Sequence, residues 1–432
     1  MIEGKQTQST LLNLSEFGAL NLAGWGPTVL RGGETVATTE FKAFMDEKKN
    51  LIFEFSLMEK NFSAVFADHD YELRFPDNSQ RPFLSTSTQT TSRDKEVRIT
   101  GVLTQSPLIL DFGTSFAIAY GSVFNLRPAC VFKEVILETR SANVAIQALP
   151  DAKKVQREAS QLGRPMVKVA SFEVRPKVGD LTCDIVSESL SQVWKFFRFV
   201  NGADVAFGEW SAKDQQGNLA ALQPDSLRGD PPLTSQNWSS FYCANELASM
   251  FQQYRNFSDT AEVGKVLDRG FELYRTATTA RVFSGTPTGI ILAQSLLELL
   301  SEYVLQTHAG WTEELLKSTR GFHNKLSASA AAIGYRGDLL EHAPDVCAAF
   351  IKQKCKPLNS YHLLTMARND ITHASKRVEL EGLHLVKIWE ASMFLAELHL
   401  FYLLDYRGEM ADRRQLTNWF GQTIAVPLPR LE

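Results

Sequence analysis

SYHLLTMARNDITHAS, residues 360–375, decides how the C-terminal half of this chain is read. Leu363, Leu364, Ala367, Ile371 and Ala374 recur at helical spacing and form one apolar side. Successive helical residues turn by about 100°, so Asn369 and His373, four apart, share a face, with Arg368 beside it. These three polar residues are therefore expected to look outward, or toward another subunit.

Helical patterns surround this stretch. Residues 244–257 (ANELASMFQQYRNF) and 260–277 (TAEVGKVLDRGFELYRTA) have the same spacing, and Leu292, Leu296, Leu299, Leu300, Tyr303 and Val304 make a third apolar stripe. Further helices are read in 312–332, 343–353 and 378–406, the last ended by Arg407–Gly408. The region from about 241 to 432 is thus read as a helix bundle.

Upstream the pattern changes. NLIFEFSLME (50–59), SAVFADHDYELRF (63–75), the run 94–124 and CVFKEVILETR (130–140) are short, rich in Val, Ile, Phe and Tyr, and separated by polar turns. Many strands without helices between them suggest a sandwich or barrel. The fold class expected is α+β and multidomain: a β-rich, sandwich-like N-terminal region followed by an all-α bundle. Residues 1–150 are assigned to a β-rich domain and 151–240 to a mixed continuation. The continuation holds a strand at 166–174, a helix stopped by Asn201–Gly202, and a hairpin turning at QQGN (215–218).

Composition narrows the functional classes. A length of 432 residues calls for more than one core, and a net charge of −4 argues against non-specific coating of nucleic acid. Five scattered cysteines with no CxxC pair are poor material for a disulfide framework, so a reducing cytoplasm is expected. No leader is apparent at the N-terminus, and Glu298 and Glu302 inside the most apolar stretch speak against a membrane span. Walker A, GxGxxG, HExxH and GxSxG motifs are missing. Asp68–His69–Asp70 reads as a solvated turn, Cys347 and Cys355 as structural thiols, and His384 and His399 as ordinary helix residues. No cofactor or metal is expected.

Arg368, Asn369 and His373 remain. A histidine can take a proton from a ribose 2′-hydroxyl or return one to a leaving oxygen, and a forked guanidinium can stabilise extra charge on phosphorus. Residues 351–377 hold Lys352, Lys354, Lys356, Arg368, Lys376 and Arg377 against Asp370, six cations minus one anion, a local +5. RNDITH (368–373) resembles the Arg–polar–(x)–His motif of the HEPN-domain family. LAELHLFYLLDYRGEMADRRQL (395–416) and SLLELL (295–300) are similar to the closing and first helices of its ApeA-like subgroup, found in phage-defence proteins.

The resemblance covers roughly the last 150 residues, with a bundle core at about 285–410. It implies a metal-independent endoribonuclease acting on RNA, tRNA among the candidates, as a homodimer of its C-terminal helices. Arg368 would bind the scissile phosphate, His373 would be acid or base, Asn369 would orient phosphate or histidine, and Glu298 would hold Arg368. Ser375 stands where some members carry a tyrosine, so a role needing that phenol is excluded. The N-terminal region would sense a trigger, a phage-derived protein being the candidate. The alternative is a non-catalytic HEPN used for dimerisation or nucleotide binding, with the β domain as a ligand- or protein-binding module.

Overall fold

The computed structural model describes residues 19–429 except 21–27, 32–33, 37, 46–50, 59–70, 76–79, 92–95, 104–108, 112, 128–133, 162–165, 227–229, 231–236, 240–245, 259, 355–358, 373–379 and 416–422. A β-rich N-terminal region is followed by a helical C-terminal region, as the sequence pattern implies.

The first sheet contains β1 (Ala19–Leu20), β2 (Thr28–Arg31), β3 (Glu34–Thr35), β4 (Thr38–Met45), β5 (Leu51–Met58), β6 (Tyr71–Arg74), β7 (Gln80–Thr91) and β8 (Glu96–Leu103). Its order is β1-β4-β5-β8-β7-β6-β2-β3, antiparallel throughout. Alternation puts Phe53, Phe55 and Leu57 of β5 and Val97 and Ile99 of β8 on one buried face, and the sheet curls. The β7–β8 register shifts between Ser85 and Ser87. Gly101 lies opposite this irregularity, where any Cβ would run into the Leu84 carbonyl oxygen.

The second sheet contains β9 (Leu110–Asp111), β10 (Ala119–Phe124), β11 (Val135–Glu138), β12 (Ala142–Ala148), β13 (Lys168–Pro176), β14 (Ala206–Lys213) and β15 (Leu219–Ser226), with α1 (Ala152–Gln161) and α2 (Cys183–Asn201) in its connections. Its order is β11-β12-β13-β10-β14-β15-β9. Residues 110–148 share a sheet with residues 168–226, because β10 pairs with β13 and β14 rather than with earlier strands. The expected hairpin is β14–β15: Asp214 Oδ1 accepts from the backbone N–H groups of Gln216 and Asn218, and Gly217 takes φ +84°. Residues 152–161, which no strand pattern claims, form a helix that buries Ala152 and Ala159 against the sheet.

Helix α2 joins sheet to bundle. Thr182 caps its N-terminus, its Oγ1 accepting from Ile185 N, and Gly202 ends it at φ +70°. Its Phe196, Phe197 and Phe199 are buried in one continuous core that runs from the second sheet into the helices. Phe199 stacks on Phe271 at 5.1 Å and meets Trp238 at 4.9 Å, and Trp238 meets Phe401 at 5.0 Å.

The helical region contains α3 (Leu247–Ser258), α4 (Ala261–Phe283), α5 (Thr286–Thr307), α6 (Glu313–Ser318), α7 (Phe322–Ala332), α8 (Pro344–Lys354), α9 (Ser360–Thr372) and α10 (Gly382–Leu403), followed by the short pair β16 (Glu409–Met410) and β17 (Ile424–Ala425). Gly321, at φ +79°, separates α6 and α7, which the spacing reads as one run. Among the described residues only α5 is long and apolar enough to cross a membrane. In this fold it packs against α4, α7 and α10, and its Glu302 pairs with Lys325 at 2.7 Å. Helix α10 is central, buried without a break from Ile388 through Phe401.

Candidate functional site

Helix α9 carries the motif. Leu363, Leu364 and Ala367 are buried, Ile371 packs against the same core, and Asn369 and Thr372 are exposed. Thr372 Oγ1 donates back to the carbonyls of Arg368 (3.0 Å) and Asn369 (3.3 Å), satisfying the last turn locally. Arg368 is half-buried rather than outward-facing. Among the described residues its buried Nε has no acceptor and no carboxylate pairs with it. Glu298 is exposed and makes no ion pair with Arg368, so the support expected from it is not formed. His373 lies outside the described residues, as do Lys356, Lys376, Arg377, Cys355 and Asp68–His69–Asp70.

A second polar cluster lies deep in the bundle. Tyr274 (α4), Glu397 (α10) and Arg413 are all almost completely buried. Arg413 donates through Nε to Glu397 Oε1 at 3.0 Å and through Nη2 to both Glu397 Oε1 and the Tyr274 oxygen, while Tyr274 donates to Glu397 at 2.5 Å. Arg413 Nη1 and Glu397 Oε2 have no partner among the described residues. Burial alone would pull the Arg413 guanidinium down, but the Glu397 charge outweighs it and holds it up. The Trp389 ring lies beside two guanidiniums, Arg281 at 4.6 Å and Arg413 at 5.0 Å. Next to it Glu390, 3% exposed, accepts no hydrogen bond among the described residues, and burial pushes its carboxyl up to about 7 against the pull of Arg413, Arg281 and Lys387.

Two carboxylates seven apart in a mostly apolar helix, Glu390 and Glu397, are the sequence signal for this cluster, with Arg413 and Arg414 beyond the helix as cations. The two histidines of α10 are structural. His399 is fully buried; its Nδ1–H donates to Leu395 O at 2.8 Å, its Nε2 faces Ser329 Oγ at 3.1 Å, and burial pushes it down to about 4. His384 completes a capping box with Glu381. Cys347 is partly buried on α8, and burial pushes its thiol up.

Glu390 gives a pH-dependent expectation. Its folded carboxyl is raised from the ordinary range to about 7, so its contribution to stability is fully present below about pH 4.5 and is lost as pH rises through 7. Glu390→Gln keeps the volume and removes the charge. It should stabilise the protein at pH 8 by roughly 2–3 kcal/mol and much less at pH 5. Unfolding of both proteins at the two pH values measures this; an equal effect at both would show that carboxylate burial is not the cause.

Residues 260–425 match the family described as YopA C-terminal domain. The match begins at Thr260, which caps α4, and ends within β17. It is under half of the chain, but it encloses both Arg368 and the Tyr274–Glu397–Arg413 cluster. No curated protein and no solved structure matches.

Proposed function

We propose that this chain is a metal-independent endoribonuclease of the HEPN type, with Arg368 and His373 as its reacting groups, Asn369 as an orienting group, and the β-rich region as a regulator. The observation that carries the reading is the buried Nε of Arg368, which has no hydrogen-bond partner among the described residues. A buried Nε without an acceptor is costly unless something supplies one, and a phosphate oxygen is suited to the fork. Asn369 is exposed on the next position, and His373 follows the last residue of α9.

In this reading a histidine removes the proton from the ribose 2′-hydroxyl, whose oxygen attacks phosphorus. Arg368 stabilises the added charge, and the 5′-oxygen leaves with a proton from the histidine of a second copy. A homodimer through the C-terminal helices supplies both roles. A defence role, with a phage-derived trigger acting on the β region, rests on the family resemblance. Coupling of the two regions is supported by Arg275 of α4, which pairs with Asp204 at 2.7 Å and Asp230 at 2.8 Å, while Arg198 of α2 holds Asp204 at 2.8 Å.

The test is cleavage of a mixed RNA pool, tRNA included, by the full chain in EDTA. The nucleophile comes from the substrate and the charge is met by arginine, so cleavage should persist and leave 5′-hydroxyl and 2′,3′-cyclic phosphate ends. A strict magnesium requirement, or 5′-phosphate products, would overturn the reading. Sedimentation should show a dimer at working concentration; a fully active monomer would refute the two-histidine scheme.

A further inference from the structure

Helices α7 and α9 meet through a pair of imidazoles. The rings of His323 and His362 lie 4.2 Å apart, centroid to centroid, and 12° from parallel, and both residues are half-buried. The seat is shaped for this contact. Gly321, at φ +79°, is the N-cap of α7, and a Cβ there would meet the His323 ring at 2.5 Å. On the other helix Asn359 Oδ1 accepts from the backbone N–H of His362 at 2.8 Å and fixes the first turn of α9. Each histidine therefore stands in the first turn of its own helix, His323 second in α7 and His362 third in α9.

Such a pair accommodates one charge and not two. A neutral imidazole can stack on an imidazolium, whereas two imidazolium rings at this spacing repel, and half-burial leaves the repulsion only partly screened. The positive ends of both helix dipoles act in the same direction, against a cation in either first turn. The charged groups on the surrounding elements are largely committed. Lys325 of α7 is taken by Glu302 of α5 at 2.7 Å, Asp345 of α8 by Lys387 of α10 at 2.7 Å, and Asp338 acts on Tyr361 of α9. Arg320 before α7 and Glu298 of α5 are exposed, Arg368 and Asp370 stand about two turns further along α9, and no carboxylate among the described residues pairs with His323. In the unfolded chain histidines take up protons near pH 6.5. The unfolded state then binds more protons than the folded pair below that pH, so acid weakens the contact. We propose that the His323–His362 stack is a pH-sensitive tie between α7 and α9, closed while at most one ring is charged and opened when both are. Arg368 lies beyond it on α9, so the tie bears on how firmly the candidate site is held. This inference is independent of the ribonuclease reading.

The experiment is thermal unfolding of the full chain at pH 7.5 and pH 5.0, with hydrogen exchange of the α9 amides at the same two values, corrected for intrinsic rate. His323→Phe and His362→Phe each keep a ring in the stack and remove one of the two charges. Between the two pH values the wild type should lose at least about 3 °C more in melting temperature than either variant. The two single variants and the double variant should lose nearly alike, since removing either charge removes the repulsion. In the wild type the α9 amides should exchange faster at pH 5.0 than at pH 7.5, and in His323→Phe they should not. Equal acid losses in the wild type and both single variants, or α9 protection in the wild type that does not fall with pH, would each overturn the proposal. Should a phenylalanine variant fail to fold, the exchange of the wild type decides by itself.

Discussion

Arg368→Ala is expected to fold like the wild type and to cleave RNA at least a hundredfold more slowly. Removing an arginine usually harms a fold by stranding its carboxylate partner, and Arg368 has none among the described residues. What is lost is the packing of a half-buried stem, a modest term, and an unsatisfied Nε disappears with it. The effect on rate is of another size, since removing one donor from a developing oxyanion costs about 10²–10³. Arg368→Lys separates charge from geometry: it keeps the cation but not the planar fork, and should recover only part of the rate. His373→Ala should lose roughly 10²–10⁴ through failed proton transfer. The measurements are initial rates on one RNA substrate and a melting curve for each variant. If Arg368→Ala melts normally and still cleaves at near wild-type rate, the site is elsewhere.

The elements are legible in the chain where a local signal fixes them. Thr182 and Gly202 bound α2, Asp214 and Gly217 shape the β14–β15 turn, and the 3.6-residue spacing of Leu296, Leu300 and Val304 marks α5. Partner choice between strands is not, because β10 carries the same Val, Phe and Tyr alternation as the strands of the first sheet and nothing local says that it pairs with β13. Residue 150 lies between β12 and β13 of one sheet, where the mixed region continues the β-rich one. At the candidate site, the apolar side of α9 can be read from periodicity, but the half-burial of Arg368 cannot, since it depends on neighbours from other helices. Glu298 illustrates the converse: its position on α5 makes it a candidate partner, yet it faces solvent. Two carboxylates within the apolar run of α10 are visible in the sequence and point to a buried ionic cluster, because a buried charge is costly unless it is paired or neutralised.

That cluster carries the largest stability effect expected in this protein. Arg413→Met should destabilise the fold by about 3–5 kcal/mol, since it leaves Glu397 buried with only Tyr274 as a donor. Methionine fills much of the volume and can lie against Trp389 as the guanidinium does, so a cavity is not the main term. The loss should be smaller at low pH, because burial already pushes the Glu397 carboxyl up and protonation relieves the stranded charge. Combining Arg413→Met with Glu397→Gln tests the cause directly. If the cost is an uncompensated charge, the double variant should regain most of the loss, and the two substitutions should couple by more than about 1 kcal/mol, as residues in one network do. Thermal and denaturant unfolding of the four proteins closes the cycle. Strict additivity, or an Arg413→Met protein within about 0.5 kcal/mol of wild type, would mean that the pair does not hold the tail against the bundle. The cation for Glu397 would then have to be sought in another arrangement of residues 411–415.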